Sequence, residues 1–234
     1  MLVTDNKYYV SEIFESIQGE GNYAGVYGLF IRFHFCNLTC SWCDTKYTWY
    51  EKSGTFKEYS AEELKDIITK SRAHHVIFTG GEPILYRLDR LVTVNKIFHV
   101  ETNATIIPIK EIKIQLNDKT EFIRGAMDIN VIGTYNWVVS PKLSNSGQSI
   151  NEETMLFWAN QIFRIFKFII KTKSELNEVE EIIDKFAILR QKVYIGLEGT
   201  TLQSQLRHDM IEEIIASITA NSIERTVTSE NNYI

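Results

Sequence analysis

The chain has 234 residues, 44% of them hydrophobic and 24% charged, which is enough apolar material for one medium-sized globular unit without disulfide staples. A net charge of −5 argues against a surface built to neutralise nucleic-acid phosphates. Residues 1–14 (MLVTDNKYYVSEIF) lack the basic and apolar regions of a secretory signal, and no apolar run is long enough to cross a bilayer. The expected setting is therefore the cytoplasm, where thiols stay reduced and no direct nucleic-acid or membrane partner is anticipated. Repeats, low-complexity tracts and linkers rich in Pro, Gly or Ser are absent from the sequence, so a single domain over 1–234 is expected.

In chain order, SIQGEG (residues 16–21) reads by itself as a turn. It is followed by a stretch, residues 30–45 (FIRFHFCNLTCSWCDT), that holds all three cysteines of the chain. Residues 60–72 (SAEELKDIITKSR) predict a helix opened by a Ser60/Glu63 capping box, with Leu64, Ile67 and Ile68 on one face. HVIF (75–78) predicts a buried strand, LYRLDRLVTVNK (85–96) a helix, and IFHV (97–100) the next strand. Residues 106–135 mix period-2 and irregular patterning and are read as an inserted excursion containing a hairpin.

NWVV (136–139), FRIFKFII (163–170) and KVYI (192–195) predict three further strands. Helices are expected in NEETMLFWANQ (151–161), SELNEVEEIIDKFAILR (174–190) and QLRHDMIEEIIASITA (205–220). Nearly all-apolar strands alternating with helices imply an α/β fold with a mostly parallel sheet. TGGEP (79–83), ETN (101–103), SPK (140–142) and LEGTT (197–201) each follow a predicted strand. The C-terminal rim of a parallel sheet is where such folds build their sites, which points to an enzyme rather than a scaffold.

Cys36, Cys40 and Cys43 stand in the spacing C-x3-C-x2-C. A structural zinc site wants four ligands, and no second Cys/His pair lies at a zinc-ribbon distance. His34 is close to Cys36 in the chain and is expected to pack locally. A 4Fe–4S cluster takes four thiolates when closed, so three would leave one iron open to a substrate or cofactor. Three merely buried core cysteines fit poorly with the polar loop residues Asn37, Thr39 and Ser41. From spacing alone, a zinc module and an open cluster both stay in view.

C-x3-C-x2-C followed by a strand and GGEP resembles the radical S-adenosylmethionine superfamily. That resemblance implies a partial, modified (β/α) TIM-like barrel, and a cluster whose fourth iron is chelated by the methionine moiety of S-adenosylmethionine. One-electron cleavage to a 5′-deoxyadenosyl radical then abstracts hydrogen from the substrate. The flanks are more specific. SIQGEG, Arg32 four residues before the first cysteine, WCDTK, TGGEP, ETN and VSPKL occur in the order found in the 7-carboxy-7-deazaguanine synthase family. That family converts 6-carboxy-5,6,7,8-tetrahydropterin to 7-carboxy-7-deazaguanine with loss of ammonia, in queuosine-type deazapurine biosynthesis.

Carried over by position, the resemblance implies a 4Fe–4S cluster on Cys36, Cys40 and Cys43 and a Mg²⁺ on Thr45, a hard oxygen ligand. It implies pterin contacts from Ile17, Gln18, Gly19, Glu20 and Thr79, and a carboxylate fork from Arg32. S-adenosylmethionine contacts are implied for Trp42, Cys43, Asp44, Gly81, Glu82, Glu101, Ser140, Pro141 and Lys142, and for Leu197, Glu198, Gly199 and Thr200. Gly81 is read as letting the backbone approach the cofactor, and Glu82 as favouring its ammonium. A homodimer and a flavodoxin- or ferredoxin-like reductant are implied as partners. Read singly, each of these positions is also an ordinary turn, loop or salt-bridge residue; it is the ordered set that argues for a site.

Three departures stand out. Phe35 occupies the position where glycine usually precedes the first cysteine, Ala104 replaces the glycine after ETN, and the C-terminal RTVTSENNYI carries neither His nor Lys. The rival readings are a glycyl-radical-enzyme activase, which shares the cysteine spacing but not the SIQGEG and CDTK flanks, and a non-catalytic iron–sulfur or zinc module.

Overall fold

The computed structural model describes residues 1–19 and 21–199; Glu20, Thr200 and 201–234, with the helix expected at 205–220, lie outside the described residues. The strands are β1 (Leu2–Thr4), β2 (Tyr8–Ile17), β3 (Tyr27–Phe33), β4 (Lys57–Tyr59), β5 (His75–Gly80), β6 (Ile97–Thr102), β7 (Ile112–Gln115), β8 (Glu121–Arg124), β9 (Asn136–Val139), β10 (Arg164–Ile170) and β11 (Val193–Leu197). The helices are α1 (Ala61–Lys70), α2 (Ile129–Ile132), α3 (Glu152–Ala159) and α4 (Lys173–Lys185).

Eight strands form one sheet in the order β11-β10-β9-β6-β5-β3-β2-β4. From β3 to β11 every pairing is parallel, whereas β2 runs antiparallel to β3 and carries the short edge strand β4. The edge strands β4 and β11 share no ladder, so the described part of the barrel is open.

Period-2 alternation gives the parallel strands two different faces. Ile31, Phe33, Val76, Phe78, Val100, Val139, Phe166 and Phe168 face the main core, which α1 joins through Leu64 and Ile68 and α3 through Trp158. Arg32, Thr79, Glu101, Ser140 and Lys167 stand on the alternate positions and face one cavity. Helix α1 begins as expected: Ser60 Oγ accepts from the Glu63 N–H, and Glu63 accepts from the Ser60 N–H.

The helix expected at 85–96 does not form. The chain makes 3₁₀ turns at Pro83–Leu85 and Leu88–Leu91 instead. Leu85, Leu88 and Leu91 are buried at a spacing of three, the repeat that a 3₁₀ turn eclipses, and the β-branched run from Val92 to Val94 resists continuation.

The excursion does contain a hairpin, β7 against β8, and β1 adds to it in parallel to make a separate three-stranded sheet. Its buried Phe122 meets the ring of Phe35 at 5.4 Å and that of Tyr86 at 5.5 Å. The excursion thus braces the cysteine loop from outside the main sheet. Both residues that stand where glycine is usual have a left-handed backbone. Phe35 has φ 71° and Ala104 φ 69°, the left-handed region that glycine occupies without steric cost. Phe35 is held there by burial among Tyr9, Phe56 and Phe122.

Candidate active site

The cysteine loop leaves the C-terminal end of β3, and the ends of β5, β6 and β9 close around it. Gly80 and Gly81 make that closure possible. A Cβ on Gly81 would lie 2.0 Å from the Phe35 carbonyl oxygen, and one on Gly80, at φ +119°, 2.3 Å from that of Phe33. The Gly81 and Glu82 N–H groups instead donate to Phe33 O at 3.0 Å and Phe35 O at 2.8 Å. The close approach that requires glycine here is therefore to the cysteine loop itself, a different reason from approach to a cofactor.

Cys36, Cys40 and Cys43 are free thiols lining the same cavity. Burial pushes the Cys36 thiol up to about 12 and raises that of Cys40. Among the described residues, no three His, Cys, Asp or Glu side chains converge on a single-ion site. A four-iron cluster asks for a different arrangement, with each thiolate reaching its own iron around a shared volume. Three soft donors on one loop around one cavity fit that demand. His34 is withdrawn from ligation, with Nδ1 2.8 Å from Ser11 Oγ and Nε2 2.7 Å from the Tyr50 carbonyl.

Across the cavity, three residues from distant segments meet. Gln18 Nε2 donates to Glu101 Oε1 at 3.0 Å, and Thr79 Oγ1 donates to Glu101 Oε2 at 2.7 Å. Gln18 arrives there because residues 18–26 fold back: the Gln18 N–H donates to Val26 O and the Gly25 N–H to Gln18 O, both at 2.8 Å. Tyr23 anchors this loop with its ring 4.5 Å from that of His99 and its hydroxyl on Asn136 Oδ1 at 2.8 Å.

Arg32 is only 7% exposed and lines the cavity. Its Nε donates to Glu12 Oε2 at 2.7 Å. Thr45 lines the wall beside the cysteines, its Oγ1 3.5 Å from Cys43 Sγ. Lys142 Nζ donates to Ser140 Oγ at 3.1 Å and sits 5.3 Å from the centre of the Trp42 ring, on the cysteine loop. Asp44 and Gly81 also face the cavity.

Other expected site residues stand elsewhere. Glu82 is completely buried behind the wall, accepting from the Ile84 N–H at 2.9 Å, the Thr102 hydroxyl at 2.9 Å and the Asn103 N–H at 2.7 Å. Burial outweighs those three donors and raises its carboxyl to about 7. Ile17 is 57% exposed at the end of β2, and Gly19 does not line the cavity. Pro141 lines a smaller neighbouring cleft. Leu197 ends β11 and Glu198 and Gly199 follow it; none of the three lines the cavity, and Glu198 lies 3.4 Å from Lys171 Nζ. Glu20 and Thr200 lie outside the described residues.

Lys167 and Trp49 line the cavity although the sequence reading gave them no site role, and Asn103, the last residue of ETN, lines it too. FRIFKFII holds two charges, Arg164 near its start and Lys167 inside the apolar run, and the second was the available signal, since a lysine in a buried parallel strand needs a polar place to point.

The sequence profile of the radical SAM superfamily matches residues 30–130. The chain is 33% identical over 192 residues to a 7-carboxy-7-deazaguanine synthase of Hyperthermus butylicus, covering 80% of this chain and 75% of that one. It is 31% identical over 193 residues to one of Pyrobaculum aerophilum, covering 80% and 77%. In fold it matches the crystal structure of QueE from Escherichia coli with a TM-score of 0.66 at 22% identity, over 96% of this chain and 95% of the other.

Proposed function

The chain belongs to the 7-carboxy-7-deazaguanine synthase family of radical S-adenosylmethionine enzymes, and we propose from that premise how its cavity handles a carboxylated tetrahydropterin. The proposed reaction takes 6-carboxy-5,6,7,8-tetrahydropterin to 7-carboxy-7-deazaguanine. Substrate and product differ by one ammonia, so the ring contraction consumes no net oxidant or reductant. The 4Fe–4S cluster and S-adenosylmethionine that the superfamily implies supply, when bound, the one-electron chemistry that removes a substrate hydrogen. Cys36, Cys40 and Cys43 would hold the cluster, and Trp42, Asp44, Gly81, Ser140 and Lys142 face the space beside it.

The observation that carries the reading is the Gln18–Glu101–Thr79 chain of hydrogen bonds in the cavity that the three thiols also line. A pterin edge presents donors and acceptors side by side, which a carboxylate flanked by an amide and a hydroxyl can match. In this reading Glu101 is held by Gln18 and Thr79 and shares their contact with the pterin. Arg32 supplies the carboxylate contact: Glu12 occupies its Nε, and its two Nη groups make no hydrogen bond among the described residues. Thr45 would contribute a ligand to a Mg²⁺ shared with that carboxylate.

The same reading includes action as one catalytic unit over 1–234, a homodimer, a cytoplasmic setting, an electron donor of the flavodoxin or ferredoxin class and no direct nucleic-acid or membrane partner. Within the described residues no helix is long and apolar enough to cross a membrane. Anoxic incubation of cluster-loaded protein with the pterin, S-adenosylmethionine and a chemical reductant tests the reaction. The expected result is a product of the deazaguanine mass, with activity lost on Mg²⁺ chelation. Cofactor cleavage without that product would overturn the substrate assignment.

A further inference from the structure

Glu12 lies outside every motif that marks the site, yet it joins two parts of it. One oxygen, Oε2, accepts from Arg32 Nε at 2.7 Å and from the Tyr47 hydroxyl at 2.8 Å. Arg32 is a cavity residue on β3; Tyr47 belongs to the 3₁₀ turn Lys46–Thr48 that directly follows Thr45. The β2–β3 register shifts between Val10 and Glu12, and the bulge sets Glu12 directly opposite Arg32 on the same face of the sheet. Phe14, also opposite its β3 partner, stacks on Phe30 at 5.1 Å and lies 5.9 Å beneath the Arg32 guanidinium carbon. The guanidinium is thus fixed on two sides, by a carboxylate at Nε and by a ring below.

We propose that Glu12 is a positioning residue for recognition of the substrate carboxylate, holding Arg32 with its Nη edge toward the cavity and tying that edge to the Thr45–Tyr47 turn. This rests on the carboxylated-pterin reading of the site. An arginine grips a carboxylate with two parallel N–H groups, and the grip fails when the plane turns. Holding Nε from behind leaves the two Nη atoms as the only edge to offer. Tyr47 extends the constraint, because its hydroxyl shares the same oxygen and so couples the rotation of Arg32 to the place of the turn bearing Thr45.

The test is anoxic binding to the cluster-loaded enzyme of two ligands, the carboxytetrahydropterin and a tetrahydropterin lacking the carboxyl group. Glu12→Gln should bind the carboxylated ligand about tenfold more weakly, the scale of one lost charge-assisted hydrogen bond. Binding of the ligand without the carboxyl should be unchanged, as should the KM for S-adenosylmethionine. Tyr47→Phe should show a smaller loss of the same kind, and its effect should largely vanish in the Glu12→Gln background. Equal losses for both ligands would make Glu12 a general structural residue and overturn the proposal. So would wild-type affinity of Glu12→Gln for the carboxylated ligand, while leaving the substrate assignment intact. Wild-type enzyme that binds the two pterins equally would instead sink the carboxylate reading on which the proposal rests.

Discussion

Replacing Phe35 separates two effects that its position combines. The ring is fully buried, 5.7 Å from that of Tyr9, 5.6 Å from Phe56 and 5.4 Å from Phe122. Truncating such a core phenylalanine to alanine costs about 3–5 kcal/mol. The backbone at φ 71° imposes a second cost of about 1–2 kcal/mol on any residue with a Cβ. Phe35→Ala loses the ring and keeps the backbone cost. Phe35→Gly loses the ring and relieves that cost, less about 0.5–1 kcal/mol for the extra freedom of the unfolded chain. The glycine variant should therefore be more stable than the alanine variant by up to about 1.5 kcal/mol, reversing the order found at ordinary helix or strand positions. Urea denaturation of the metal-free protein under anoxia measures both. A glycine variant clearly less stable than the alanine variant would refute a left-handed backbone at this position. Both variants should also retain less cluster after reconstitution, because the ring braces the loop against the excursion.

Gly81→Ala would place a methyl 2.0 Å from the Phe35 carbonyl oxygen, so the cysteine loop and the end of β5 must part; iron content and visible absorbance should fall, and wild-type loading would contradict this. Arg32→Lys should raise the KM for the pterin by about tenfold or more while cofactor cleavage persists, since one ammonium cannot replace the fork; equal loss of both activities would make Arg32 structural. Burial, aided by His75 2.8 Å away, depresses His99 to about 4. Its neutral form favours the fold above the ordinary histidine range, and that contribution, up to about 3 kcal/mol, is lost as pH falls from 6.5 towards 4. Urea midpoints of metal-free wild type and His99→Gln across that range should converge at low pH; a constant gap would exclude His99 as the titrating group.

Much of this protein is legible in its amino-acid order because the relevant signals are local. The cysteine spacing is set by one loop, the capping box of α1 by three consecutive peptide units, and the apolar strands by their own pattern. Strand-end motifs could be placed on one rim because every parallel strand delivers its C-terminal end to the same side. What that order left open depends on contacts between segments far apart in the chain. Gln18 reaches Glu101 only because the loop after β2 folds back across the sheet, 83 positions from its partner. Glu82 reads as a site residue beside GG, yet folding buries it against Thr102 and Asn103, so its chemistry is that of the wall. Lys167 was hidden by its apolar neighbours, and only the direction of β10 turns it into the cavity. The excursion read by pattern as an insertion, although it supplies Phe122 to the ring cluster that holds Phe35. Phe35 itself could only be named as a departure from glycine. Its explanation needed a backbone angle and three rings from β2, the loop before β4, and β8, which no local pattern could bring together.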